Sequence, residues 1–260
     1  MANIRIFIDP GHGGSDSGAV SGKRKESNDV LKLSLAIGEK LVKNYSNVTV
    51  GYSRKTDIYE KPSKKAQDGN SFNADYFFSF HRNCATGSAK GFETEYKSHS
   101  TVKDGIMKDI RTKMKTIGFV LREDKQRDNL AVLNQTKAPA LLFEVGFIDN
   151  VTDNKIFDSK FNDIVNAFAE VIGKWCGLKK KAAPKPFKEG AYNSNVQITS
   201  TCPVKTGRGK TYKTIGTFPV GRKVKALYIL KNNAGNLWAS VDFGEDIGYI
   251  CLKHAKPYGL

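Results

Sequence analysis

The chain has 260 residues, 39% of them hydrophobic and 26% charged, which excludes a disordered or fibrous protein and allows one or two domains with a buried core. The net charge is +16 and unevenly placed: residues 177–260 hold 15 basic and 4 acidic side chains, residues 1–176 hold 27 and 22. A tail this basic attracts polyanions, whether nucleic acid, anionic lipid or an anionic wall polymer.

In chain order, Ile4–Asp9 reads as a strand that runs into the glycine-rich turn Pro10–Gly14. The apolar run at the N-terminus is too short for a signal peptide, so the chain is expected to be made in the cytoplasm. Val30, Leu33, Ile37 and Leu41 fall at helical spacing, with Ser27 or Asn28 as the expected N-cap. Val48–Tyr52 is a second strand. Asp75–Phe80 and Ala140–Val145 are apolar nearly throughout, as strands buried on both faces are, and Phe92–Tyr96 alternates. Ala138–Ile148 is the most apolar stretch, yet it contains Pro139 and Glu144 and falls short of the roughly 18 residues of a membrane span. Phe161, Ile164, Val165, Phe168, Val171, Ile172 and Trp175 define an amphipathic helix that Gly177 can stop. This order predicts an α/β domain over residues 1–178, with a twisted, mostly parallel sheet and helices on both faces. Lys179–Lys188, rich in lysine and proline, reads as a linker. Short β-rich runs at Val196–Thr199, Lys223–Leu230, Leu237–Phe243 and Gly248–Leu252 then predict a small all-β module over residues 189–260. Cys84, Cys176, Cys202 and Cys251 form no CxxC pair and read as reduced, mostly buried thiols.

Open α/β sheets gather their active sites beyond the carboxyl ends of the strands. His12 follows the first strand there and His81 the third, while Glu26 stands just ahead of the first helix. Glu144 lies inside the apolar run Leu-Leu-Phe-Glu-Val, where a carboxylate must be paired, protonated or close to a cation. Each has an ordinary reading as a loop, strand-end, helix-start or ion-paired residue. Together, two imidazoles and one carboxylate make a catalytic zinc set with one position open for water, and a second carboxylate can serve as general base and then acid. His99 and His254 have no comparable setting and read as surface residues. A basic nucleic-acid-binding protein would explain the tail, but it does not require a carboxylate in an apolar strand or paired strand-end histidines.

At these residues the first domain resembles the zinc-dependent N-acetylmuramoyl-L-alanine amidases of cell-wall turnover and phage lysis. The matching pieces are Ile8–Gly14, Glu26 ahead of a helix, Asp75–Asn83, Gly91–Glu95 and Pro139–Asn150. The resemblance implies His12, Glu26 and His81 as zinc ligands and Glu144 as the catalytic carboxylate; from their place beside His81, Arg82 and Asn83 are open candidates to help an oxyanion. Where the family usually has an arginine before the third strand, this chain reads Ser63-Lys-Lys-Ala-Gln67, a difference expected to touch substrate contacts and not the metal site. The tail is similar to bacterial SH3-type wall-binding modules over Cys202–Gly216, Val220–Val224, Leu237–Val241 and Ile247–Ile250, with Trp238, Tyr212, Tyr228 and Tyr249 as candidates to line a groove. The expectation is a peptidoglycan hydrolase, made without a signal peptide and acting on the wall after release. A phage endolysin fits best, with a bacterial mother-cell or autolytic amidase as the alternative. Peptidoglycan is the expected partner, with anionic wall polymers on the basic tail and neither nucleic acid nor a membrane span.

Overall fold

A computed structural model describes residues 3–181 and 187–258. They belong to two compact units, Met1–Lys181 and Ala182–Leu260. The first unit runs β1 (Ile4–Pro10), β2 (Val20–Ser21), β3 (Arg24–Lys25), α1 (Glu26–Asn44), β4 (Val48–Tyr52), α2 (Pro62–Ser71), β5 (Tyr76–Asn83), β6 (Phe92–Tyr96), α3 (Thr101–Ile117), β7 (Lys125–Gln126), α4 (Ala131–Asn134), β8 (Ala140–Phe147), α5 (Val151–Ser159) and α6 (Phe161–Trp175). Its sheet has the order β4-β1-β5-β8-β6-β7, parallel throughout except where β6 runs against β8.

Alternation along the strands gives the sheet two different faces. Ile6, Ile8, Phe78, Phe80, Leu141, Phe143 and Val145 point to one face and form the main core with apolar residues of α1, α3 and α6. Phe7, Phe77, Ala140 and Leu142 point to the other and pack with Phe72, Val132 and Leu133 around α2 and α4. Toward the carboxyl ends of the strands this second face turns polar. By the same alternation it presents Asp9, Ser79, His81, Glu144, Glu93 and Glu95, because His81 is in register with Glu144 and Glu144 with Glu93.

The helix starts differ from the sequence expectation. Glu26 is the first residue of α1, and neither Ser27 nor Asn28 is its N-cap. The first amides of α1 find partners in the loop ahead of it: Glu26 N donates to Ala19 O at 2.9 Å and Ser27 N to Ser17 O at 3.1 Å. The N-cap position is Lys25, whose side chain makes no capping hydrogen bond, so these loop carbonyls take over part of the cap's work. Of the stretch 179–188 read as a linker, residues 182–186 lie outside the described residues. Lys179–Lys181 pack on the first unit, where Lys181 N donates to Asn44 O and Ser46 N to Lys179 O.

The second unit is all β: β9 (Gly190–Ile198), β10 (Cys202–Lys205), β11 (Thr214–Phe218), β12 (Lys223–Lys231), β13 (Leu237–Phe243), β14 (Asp246–Cys251) and β15 (Ala255–Pro257). The strands pair antiparallel in the order β11-β10-β14-β13-β12-β9-β15 around Val196, Val204, Phe218, Ile229, Val241 and Ile250. All four cysteines are free, and only Cys84 is exposed. Among the described residues no helix is long and apolar enough to cross a membrane.

The Phe143 ring sits between those of Phe78, Phe80, Phe92 and Phe168, at centroid distances of 5.0–6.2 Å. Phe143→Ala is expected to lower the unfolding free energy of the first unit by about 3–5 kcal/mol, measured by denaturant titration. A loss below about 1 kcal/mol would mean that this cluster does not carry the core.

Candidate active site

The site is assembled around one carboxylate. Glu26, nearly fully buried, accepts from Arg82 N (3.0 Å) and Ala19 N (3.0 Å). Its Oε1 lies 2.9 Å from His81 Nδ1 and its Oε2 lies 3.2 Å from His12 Nε2. The other ring nitrogen of His12, Nδ1, is 2.8 Å from Asp16 Oδ2, which fixes the ring with Nε2 toward Glu26. His12, Glu26 and His81 each offer one donor atom within 4.8 Å of the others, a group able to hold a metal ion. Two imidazole nitrogens and a carboxylate are the borderline donors that zinc takes, and both histidines are partly open to solvent, so the donor set fits such an ion.

The backbone geometry is demanding. His12 itself has a positive φ of 56°, which is costly for a residue with a Cβ. Two buried cations hold this turn from beneath. Arg54 donates to Pro10 O (3.1 Å), Gly11 O (2.7 Å) and Ser27 O (2.8 Å), joining the turn to the start of α1. Lys65 donates to Pro10 O (2.7 Å) and His12 O (3.3 Å) and pairs with Asp9 at 3.1 Å. Asp9, buried, also accepts from Ser53 Oγ and Ser79 Oγ. Burial would raise the Asp9 pKa, but Lys65 and these hydroxyls pull it below the usual carboxylate value. Gly11 is required by contact alone, since a Cβ there would lie 2.3 Å from His81 Cε1.

The two principal carboxylates are driven apart. Burial disfavours an ionised Glu26, yet hydrogen bonds and charge from His12 and His81 win and hold its pKa far below the ordinary value. Glu144 keeps partial exposure, but its Oε2 is buried and has no hydrogen-bond partner among the described residues. Burial first, then the charges of Glu26, Glu95 and Glu93, push its pKa well above 4.5, with Lys125 opposing. His12 is disfavoured as imidazolium by burial, but Glu26 and then Asp16 outweigh that and raise its pKa above 6.5.

All four residues singled out in the sequence therefore meet at one end of the sheet. Arg82 does not join them. Its side chain turns to the opposite face, where Asp29 (2.6 Å), Asn154 (2.7 Å) and Phe147 O hold it, so it cannot assist an oxyanion. The Lys65 position, expected to bear on substrate contacts, is buried and bears on the underside of the site instead. Arg54, Asp16 and Asp9 escaped the sequence reading. Their roles rest on the tertiary partners each meets, and charged residues are too common in a sequence for these three to stand out.

The family model described as N-acetylmuramoyl-L-alanine amidase matches residues 6–174. The chain is 36% identical over 187 residues to the N-acetylmuramoyl-L-alanine amidase CwlM of Bacillus licheniformis, covering 69% of this chain and 72% of the relative. It is also 36% identical over 192 residues to the endolysin of Bacillus phage SPP1, covering 69% and 70%. Among solved structures, the catalytic domain of the amidase CwlV from Bacillus (Paenibacillus) polymyxa superposes with a TM-score of 0.62 at 27% identity, over 68% of this chain and 99% of that one.

Because protons compete for His12 from a raised pKa, affinity for a divalent metal ion should already weaken on descending toward pH 6.5, and fall further below it. Competition with a chromophoric chelator across this range measures it. Affinity that stays flat to below pH 6 would contradict a role for His12 as a donor.

Proposed function

The chain belongs to the N-acetylmuramoyl-L-alanine amidase family, and on that premise we propose a zinc-dependent mechanism for its hydrolysis of peptidoglycan. The bond cut joins N-acetylmuramic acid to the L-alanine of the stem peptide. The observation that carries the reading is the convergence of His12, Glu26 and His81 beside Glu144, at the carboxyl ends of β1, β5 and β8. His12, Glu26 and His81 would hold the ion. A zinc ion there supplies Lewis acidity toward the amide carbonyl and toward water.

The remaining work falls to the chain's own groups. Glu144 takes a proton from the attacking water and returns it to the nitrogen of the leaving alanine. Without that second transfer the amine would leave as a poor anionic group. Its raised pKa suits it for both directions, since an ordinary carboxylate would hold the proton too weakly to deliver it near neutral pH. Glu26 cannot take this part, because both oxygens are committed to His12, His81 and two backbone amides. Asp16 positions His12, while Lys65 and Arg54 position the turn that carries it.

The second unit is proposed as an SH3-type module that holds the enzyme on the wall through anionic polymer. Support comes from a groove of about 560 Å³ whose lining includes Arg208, Lys210, Lys253, Tyr212, Asn236 and Trp238, with no acidic side chain. Of the four aromatic candidates, Trp238 and Tyr212 line this groove and Tyr228 and Tyr249 do not. The identity to a phage endolysin supports a lytic role, in which the chain reaches the wall after release from the cytoplasm.

Digestion of purified peptidoglycan should expose new L-alanine amino termini without new reducing sugars. The opposite product pattern would make the enzyme a glycosidase. Glu144→Gln should keep its zinc and lose roughly 10²–10⁴-fold in rate. Glu26→Gln should instead lose zinc and recover partly at high added zinc. Metal loss at Glu144 with tight metal at Glu26→Gln would exchange the two roles. For the tail, the double variant Lys210→Gln/Lys253→Gln should weaken wall binding and flatten its salt dependence, while cleavage of soluble muropeptides is unchanged. Undiminished binding in sedimentation assays would place the wall contact elsewhere.

A further inference from the structure

Beside Glu144 the catalytic face continues onto β6 and β7 with an arrangement that the hydrolytic chemistry does not use. Glu93, fully buried and in register with Glu144, accepts from Arg122 Nε (2.9 Å) and Lys125 Nζ (2.6 Å). Glu95, two residues on and facing the same way, accepts from Arg127 Nε at 3.2 Å. Both arginines are thus gripped through Nε alone. Among the described residues, the Nη atoms of Arg122 and Arg127 have no acceptor. The Arg122 guanidinium is further fixed over the Phe147 ring at 5.1 Å, and both arginine side chains remain about two-fifths exposed. A buried carboxylate behind a guanidinium with its outer edge free is a receptor for a second carboxylate, which that edge can bind through two parallel N–H groups.

The direction of the substrate follows from the proton transfer. Glu144 protonates the nitrogen of the leaving alanine, so that nitrogen lies over β8. The ion-holding residues lie on the β5 and β1 side of it, and the order of the sheet places β6 and β7 on the other side. The peptide that begins with the leaving nitrogen therefore extends over β6 and β7. Adjacent strands are about 4.8 Å apart and an extended residue advances ~3.3 Å, so one to two residues cross one strand spacing. The Arg122 guanidinium, held on Glu93 over β6, is accordingly within reach of the residue that follows alanine, and Arg127, held on Glu95, lies beside it two residues along the same strand.

We infer that Arg122 and Arg127, oriented by Glu93 and Glu95, form a subsite for the carboxylates of an acidic stem peptide, and that this subsite sets a preference for stems whose residue after L-alanine keeps its α-carboxylate free. The inference rests on the amidase reading and adds the substrate class to it. The subsite also accounts for the buried Glu93, whose desolvation would otherwise serve only to anchor two surface cations.

The test uses the zinc-loaded full chain and two synthetic muropeptides alike except at the residue after L-alanine: D-isoglutamate in one, D-isoglutamine in the other. The wild type should favour the free carboxylate by at least about 10-fold in kcat/KM, the scale of a charge-assisted bidentate contact, and mainly through KM. In Arg122→Gln the ratio should fall to near 1, and in Arg127→Gln it should fall in part. Arg122→Lys keeps a cation on Glu93 but lacks the two-pronged edge, so a reduced ratio there separates recognition from folding should Arg122→Gln not fold. Equal kcat/KM for both substrates in the wild type, or a ratio unmoved in the Arg122 variants, overturns the subsite while leaving the amidase reading in place. Failure of the wild type to cut either substrate overturns both.

Discussion

The structure depends on the burial of one ionised carboxylate. Glu26 sits at the first position of α1 with almost no access to water, a location that costs several kcal/mol unless every lone pair is satisfied. Two imidazoles and two backbone amides satisfy it, and they come from the turn after β1, the loop before β2 and the end of β5. The segment that leads from β1 into α1 is thereby tied to the end of β5, more than 50 residues on. The buried cations Arg54 and Lys65 then brace the turn that delivers His12 in a conformation it would not adopt alone.

The same economy separates two chemically identical groups. Glu26 lies among hydrogen-bond donors and is held ionised; Glu144 lies between carboxylates in an apolar strand, with one oxygen unpartnered, and is held toward its protonated form. Environments that push paired carboxylates apart assign one to binding charge and the other to moving protons. A cation held by His12, Glu26 and His81 would draw the Glu144 pKa back down, toward the ionised form that can accept a proton.

Much of this was legible in the sequence, and unevenly so. The strands β5 and β8 announce themselves because they are buried on both faces and therefore apolar nearly throughout, and α6 because its apolar stripe repeats at helical spacing. Glu144 stood out because a carboxylate in an apolar run is costly without a partner, and His12, Glu26 and His81 through their shared placement near strand ends and the resemblance to the amidases. By contrast, α2 shows almost no apolar periodicity: its buried residues are Lys65, Ala66 and Gly69, and a lysine facing inward cannot be told from one facing water before the chain folds. The start of α1 was misplaced because its first amides are satisfied by carbonyls of the loop ahead of it and not by a capping side chain. The roles of Arg54, Asp16, Arg122 and Arg127 depend on which carboxylate or carbonyl each meets, and that is decided only by tertiary contact.

The charge asymmetry between the two parts of the chain fits the proposed division of labour, with the smaller excess where buried ion pairs build a site and the larger in the tail proposed to hold an anionic polymer. The central claim is that Glu26 and its two histidines form the seat of a zinc ion. X-ray absorption at the zinc edge of the loaded protein tests it most directly. The account predicts first-shell scattering from nitrogen and oxygen only, with the outer-shell signature of two imidazoles, reduced to one in His81→Ala. Sulfur scattering, or a spectrum unchanged in His81→Ala, would contradict it.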